Sequence, residues 1–373
     1  MKKDACMEVL RAAIKKELPE KEIVETLSFL DLYNLAKENK MLSLLVNVIP
    51  AWEREEKAEE ELAECWKMEA MQFVMKEYRK VPLVQSLAKE AYARKLPLVF
   101  FKGYILAELY PDFTLRNSGD LDVYIDTCYK KDIIRLLEEL GYIRDKKLDK
   151  EQVLTYRYCE QEECCLKIEL HFSLFEDMSG EQIRKLEHMK LTNSENYQYL
   201  DCCGIHLLSL GHMEHLIYQM FHMVKHFVYQ GVPVRYVIDV AGFLKKYWNE
   251  IDGNAFWKAM DVLGYTRFVR QLFSICVQEF SVSKEVLGTY SVCTIQETQS
   301  LLDDLIQFGA RAFGKEVAHY FLLWIGYYEQ LEKKKEPAFD GSVVSFSVVP
   351  KEMQDNKELQ NRVRLVKALE LIE

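Results

Sequence analysis

The run NSGDLDVYID, residues 117–126, constrains this chain more than any other stretch. In an extended strand, successive side chains point to opposite faces. Leu121, Val123 and Ile125 therefore share one face, and Asp120, Asp122, Tyr124 and Asp126 share the other. The alternation predicts a strand entered from a Ser-Gly turn, with its apolar face in a core. Two accounts of the polar face stand side by side. One is an amphipathic strand with its polar side in water. The other is a carboxylate pair that holds a metal ion. The remainder of the chain has to decide between them.

At 373 residues the chain is long enough for a large core and for two or three domains. Hydrophobic residues at 49% and charged residues at 29% describe a globular protein and exclude a disordered one. The net charge is −10 and no basic block occurs, so an extended nucleic acid is not the expected partner. A small basic pocket is compatible with that balance. The start, MKKDACMEVLRAAIKKELPEKE, is amphipathic and lacks the apolar core of a secretory signal. No stretch reaches the ~20 apolar residues of a membrane span. The ten cysteines include the adjacent pairs Cys164-Cys165 and Cys202-Cys203 but no Cys-x-x-Cys. Reduced thiols, no membrane partner and a cytoplasmic location are the expectations.

Residues 1–95 carry apolar positions at helical spacing. LPLVFF (96–101) reads as a buried strand that starts at its proline, followed by a Lys102-Gly103 turn and a short helix in YILAELY. After the Asp-x-Asp strand comes a helix, KKDIIRLLEELGY, with Gly141 as its stop signal. TYRYCE and CLKIELHFSL then form strands about a QEE turn. From Ile205 helices return: HLLSLGHMEHLIYQMFHMVKHFVYQ reads as one long helix, and VPVRYVIDVAGFLKKYW as another. SLLDDLIQFGARAFGKEVAHYFLLWIGYYEQLEKK behaves likewise, and SVVSFSVV reads as a short strand before a charged helical tail. The expected class is α+β: a small mixed-sheet core over 96–200, flanked by helical regions at 1–95 and 205–335, with a tail at 336–373.

In KIELHF, Lys167, Glu169 and His171 share one strand face. If this strand lies beside the Asp-x-Asp strand, three carboxylates meet, and such a cluster repels itself unless a cation neutralises it. Mg²⁺ suits hard oxygen ligands and leaves room for substrate phosphates. Two ions ~3.5–4 Å apart would clamp the attacking and leaving oxygens of a phosphoryl or nucleotidyl transfer. At the Lys102-Gly103 turn, glycine allows close backbone approach and the following helix aims free N–H groups at an anion. Lys102 and Arg116 are candidate triphosphate contacts, with solvated surface charges as the alternative. Neither a Walker loop nor a Rossmann glycine set is present.

LPLVFFKGYILAELYPDFTLRNSGDLDVYI, the helix ending EELGY, and KIELHFSLF together resemble a group of largely uncharacterised bacterial nucleotidyltransferases in the DNA polymerase β-like superfamily. The resemblance covers approximately residues 80–245 and includes Lys225-His226 and Val237-Ile238-Asp239 downstream. It implies a nucleotidyltransferase core, with Asp120, Asp122 and Glu169 as catalytic metal ligands for Mg²⁺ or, alternatively, Mn²⁺. Lys102, Gly103, Arg116, Ser118, Lys225, His226 and Asp239 would then form the nucleotide site. The implied reaction moves a nucleotide from an NTP, with ATP as first choice, to an acceptor that the sequence does not name. The chain has Gly103-Tyr104 where many superfamily members have Gly-Gly or Gly-Ser, which leaves an inactive nucleotide-binding or interaction module as the alternative. His171 is a candidate general base or acceptor contact, with a structural hydrogen-bonding role beside it. His212, His215, His222 and His226 fall within about an 80° arc of a helix. The expectations for them are a polar stripe facing the α/β unit or ordinary packing and surface positions, because zinc-ligand spacing is lacking.

Overall fold

The computed structural model describes residues 3–24, 26–52, 57–161, 163–175, 180–229, 231–307 and 364–371. The helical pattern after residue 307, the SVVSFSVV strand and most of the tail lie outside the described residues.

The central element is a mixed sheet of seven strands, β1 (Val99–Phe101), β2 (Leu121–Tyr124), β3 (Ile143–Arg144), β4 (Val153–Glu160), β5 (Glu163–His171), β6 (Gln198–Cys202) and β7 (Ile205–Ser209), in the order β3-β4-β5-β2-β1-β7-β6. Strand β2 lies antiparallel to β1 and parallel to β5, placing it at the centre. The N-terminal helices are α1 (Lys3–Lys15), α2 (Lys21–Val24), α3 (Phe29–Glu38), α4 (Leu42–Leu45) and α5 (Lys57–Ala93). Within the sheet region lie α6 (Gly103–Leu106), α7 (Lys130–Glu139) and α8 (Gly180–His188). The later helices are α9 (His212–Tyr229), α10 (Arg235–Tyr247), α11 (Gly253–Leu263), α12 (Thr266–Phe280) and α13 (Ile295–Gln307).

Strand alternation divides the sheet between two cores. Leu121, Val123, Ile168 and Leu170 face one side, where α7 covers them with Ile133, Leu136 and Leu137 and α5 adds Val84, Leu87 and Ala91. The α7 trio repeats at i, i+3 and i+4, the stripe an amphipathic helix needs. Each of these side chains gains about 1.5–3 kcal/mol from burial. The helix stops where Gly141 takes φ +84, a left-handed conformation that suits glycine. Phe101 and Tyr124 point to the opposite face and join the larger core built from both helical regions. The polar residues of β2 and β5 therefore lie between the sheet and the helices.

Two expectations are corrected. Strand β1 begins at Val99, two residues after the proline. The segment HLLSLG is not helical: Ile205–Ser209 is strand β7, which pairs with β6 in a hairpin and with β1 through Phe100 and Ser209. The turn between β6 and β7 is Cys203-Gly204, with φ +55 and +74. Two successive positive φ angles match the twist of a two-residue hairpin. That turn, and the exposure of His206 between buried Ile205 and Leu207, are the strand signals in this stretch. The helix itself starts at His212.

Candidate active site

Parallel pairing of β2 with β5 sets Asp122 directly beside Glu169 and Tyr124 beside His171. Side chains at one register position of adjacent strands share a face, so the acids of the two strands converge. Donor atoms of Asp122, Glu169 and His171 all lie within 4.8 Å of one another. Asp120, just ahead of β2, lines the same cavity. The Lys167 ammonium lies 2.7 Å from Glu169 Oε1 and 3.4 Å from Asp120 Oδ2, tying the two acids together. On the other flank, Asp122 Oδ1 accepts from Lys102 Nζ at 2.7 Å and sits 2.9 Å from His171 Nε2.

Burial pushes all three acids up, and their neighbours separate them. Lys102 and His171 overcome burial at Asp122 and hold its carboxyl well below the usual range. Glu169 is also lowered, because Lys167 and Lys102 outweigh burial and the Asp122 charge. Asp120 is raised by burial and then by repulsion from Asp122 and Glu169. Three carboxylates against the two lysines leave the cluster with one surplus negative charge. A hard divalent cation fits this donor set, with carboxylate oxygens as its ligands. His171, hydrogen-bonded to Asp122, is placed to orient that ligand.

The Lys102-Gly103 turn is held from several sides. Lys102 has φ +58 and ψ −134, a costly conformation for a residue with a Cβ. Its backbone N–H donates to His215 Nε2 at 3.2 Å, which places the His215 proton on Nδ1. Burial, with His212 and Arg116 nearby, pushes the His215 pKa down to about 3. Gly103 O accepts from Arg116 Nη1 at 2.8 Å, and a Cβ at Gly103 would meet that nitrogen at 2.8 Å. Arg116 is itself gripped by Asp239, Nε to Oδ1 and Nη2 to Oδ2, both at 2.8 Å. Tyr110 donates to the same Asp239 at 2.9 Å. Asp239 thus acts on this turn through Arg116.

Ser118 is clasped by α5. Its Oγ donates to Glu77 Oε2 at 2.7 Å, and its N–H donates to Glu77 Oε1 at 3.1 Å. Lys80 donates to the Ser118 carbonyl and, at 3.1 Å, to its Oγ, while pairing with Glu77 at 2.9 Å.

One cavity of about 730 Å³ is lined by Asp120, Asp122, Glu169, His171, Lys102, Gly103, Arg116, Ser118, Lys225, His226 and Asp239. Every residue singled out in the sequence for the site borders it. The histidine stripe divides along α9. His222 and His226 line the cavity with their Nε2 atoms 3.1 Å apart, and His215 supports the turn. His212, at the start of α9, contacts Gln198 and Glu250. Sequence reasoning missed Glu77 and Lys80, which hold Ser118, and Tyr218 and Arg235, which line the cavity. Glu77 and Lys80 are an i, i+3 pair that reads like any solvated helix surface, and no local signal distinguishes them.

Adjacent acids on parallel strands and a lysine-glycine turn thus border one cavity of about 730 Å³. The chain belongs to the family described as "uncharacterised nucleotidyltransferase", whose model matches residues 27–281. Among solved structures it is similar to an antigenic nucleotidyltransferase-like protein from Paracoccidioides brasiliensis, at 13% identity and a TM-score of 0.38. That match covers 57% of this chain and 93% of the other. No curated protein matches the chain. Among the described residues, no helix is long and apolar enough to cross a membrane.

Proposed function

We propose that the protein transfers an NMP from an NTP, with ATP as the first candidate, to an acceptor and releases pyrophosphate in a Mg²⁺-dependent reaction. The observation that carries this reading is the register of β2 against β5, which pairs Asp122 with Glu169 on the cavity face. Asp120, Asp122 and Glu169 would hold the metal. When bound, Mg²⁺, or Mn²⁺ in its place, supplies charge neutralisation and alignment at the reacting phosphate. His171 and Lys102 keep Asp122 ionised and fixed in orientation. Gly103 and Ser118 line the cavity, and Lys225 and His226, which line it from α9, would border the nucleotide. The chemistry needs no protein nucleophile, because the acceptor attacks the α-phosphorus directly.

A second reading, a nucleotide-binding module without turnover, draws on Tyr104. Its side chain, phenol included, is buried in the core beyond the turn, so its hydroxyl is not offered to the cavity where many superfamily members have Gly or Ser. Calorimetric titration with each NTP, with and without Mg²⁺, tests the site on wild type, Asp122→Ala and Glu169→Gln. Mg²⁺-dependent binding that weakens at least tenfold in both variants is the expected outcome. Binding indifferent to the metal, or absent for every NTP, overturns the proposal. Pyrophosphate release with candidate acceptors then separates enzyme from module.

A further inference from the structure

The cavity that holds the carboxylates is also lined by basic and amide side chains. Arg235, the first residue of α10, is only 8% exposed and lines the cavity. Its Nη1 donates to Asn117 O at 2.7 Å, but its buried Nε–H has no hydrogen-bond partner among the described residues. Gln219, also 8% exposed and lining the cavity, likewise has a buried Nε2 without a partner there. Lys40 projects from the turn after α3 into the same wall. Desolvation and then the Arg235 charge lower its pKa, with Asp120 pulling the other way. Two like charges and two unused donors therefore border one cavity. An unmet buried donor costs about 1–3 kcal/mol, and an oxyanion would satisfy both the donors and the repulsion. The N-terminus of a 13-residue helix adds its partial positive charge to that lining.

We infer that Lys40, Arg235 and Gln219 form an oxyanion subsite within this cavity that takes a phosphoryl group without needing the metal. Asn117, which anchors Arg235, is three residues from Asp120, so the two anchor points are at most about 11 Å apart along the chain. Assigning the subsite to the terminal phosphate of the donor rests on the proposed nucleotidyl transfer; the anion site does not.

The test uses the full chain in EDTA with inorganic pyrophosphate as the probe, followed by calorimetry. Wild type should bind saturably, and Lys40→Met and Arg235→Lys should each weaken binding about tenfold, the loss of one charged hydrogen bond. Lys40 is exposed, so its variant decides the matter even if Arg235→Lys does not fold. No saturable binding by wild type, or unchanged binding by Lys40→Met, overturns the subsite. ATP and AMP, again in EDTA, identify the source of the anion. A preference for ATP over AMP that falls about tenfold in Lys40→Met supports the donor's terminal phosphate. An unchanged preference with weakened pyrophosphate binding overturns that assignment and supports an anion carried by the acceptor. If Asp122→Ala left Mg²⁺-dependent NTP binding intact, nucleotidyl transfer would fail while the pyrophosphate result stood.

Discussion

Arg116 and Asp239 lie 123 positions apart and meet as a buried, two-point ion pair beneath the Lys102-Gly103 turn. Removing one partner of such a pair strands a charge, which costs about 3–5 kcal/mol, whereas replacing both with apolar groups is often near neutral. Asp239→Asn is therefore expected to lower unfolding free energy by that amount in urea titrations, and Arg116→Met/Asp239→Leu by less. Gly103→Ala belongs to the same neighbourhood. Its Cβ would press on the Arg116 guanidinium, whose end cannot swing away because Asp239 and Gly103 O both hold it. An overpacking loss of about 1–3 kcal/mol follows, measurable in the same titrations. The glycine is required here by close approach, since its φ is not in the positive range.

Helix α5 links the helical N-terminal region to the sheet. Its first half buries Ala63, Trp66 and Ala70 in the larger core, and its second half buries Val84, Leu87 and Ala91 against the sheet. Between them, Glu77 and Lys80 grasp Ser118, two residues before Asp120. Lys80→Met should destabilise the fold by about 3–5 kcal/mol, and Glu77→Leu/Lys80→Met should recover much of the loss. The double variant still lacks the clasp on Ser118. It should fold and yet show weaker Mg²⁺-dependent NTP binding by calorimetry. Wild-type affinity in that variant would show that α5 contributes packing alone.

Across the molecule, the stripe on α9 ties stability to pH. Burial lowers His212, His215 and His222, with His215 at about 3 and His222 well below its ordinary value. An unfolded histidine titrates near 6.5, so below that pH the unfolded chain binds more protons than the folded one. Stability is then fully present above pH 6.5 and is lost as pH falls toward the folded values. Each histidine contributes a slope of up to about 1.4 kcal/mol per pH unit. Asp120, raised in the fold, offsets part of this loss. Urea midpoints should drop steadily from pH 7 to pH 5, and His215→Gln should flatten the slope. A pH-independent midpoint over that range would contradict the buried, neutral state of these rings.

Local pattern was enough to predict the two acid-bearing strands. Alternation in NSGDLDVYID and KIELHF identifies two strands and the face each acid occupies, because the strand period of two depends on no distant contact. The turn residues and the α7 stripe are equally local. Lys102, Gly103 and Arg116 stand out at the turn and the loop after it, whereas Ser118, Lys225, His226 and Asp239 are named only through the family resemblance; all seven border one cavity. Partnership was not legible. That Arg116 binds Asp239, that Glu77 and Lys80 clasp Ser118, and that Lys40 and Arg235 border the same cavity depend on long-range packing, which adjacent residues do not encode. Strand β7 shows the same limit: its apolar run is compatible with a helix or a strand, and pairing with β1 and β6 selects the strand. Short-range sterics thus set which faces are polar, while burial and pairing between distant segments set what each charge meets.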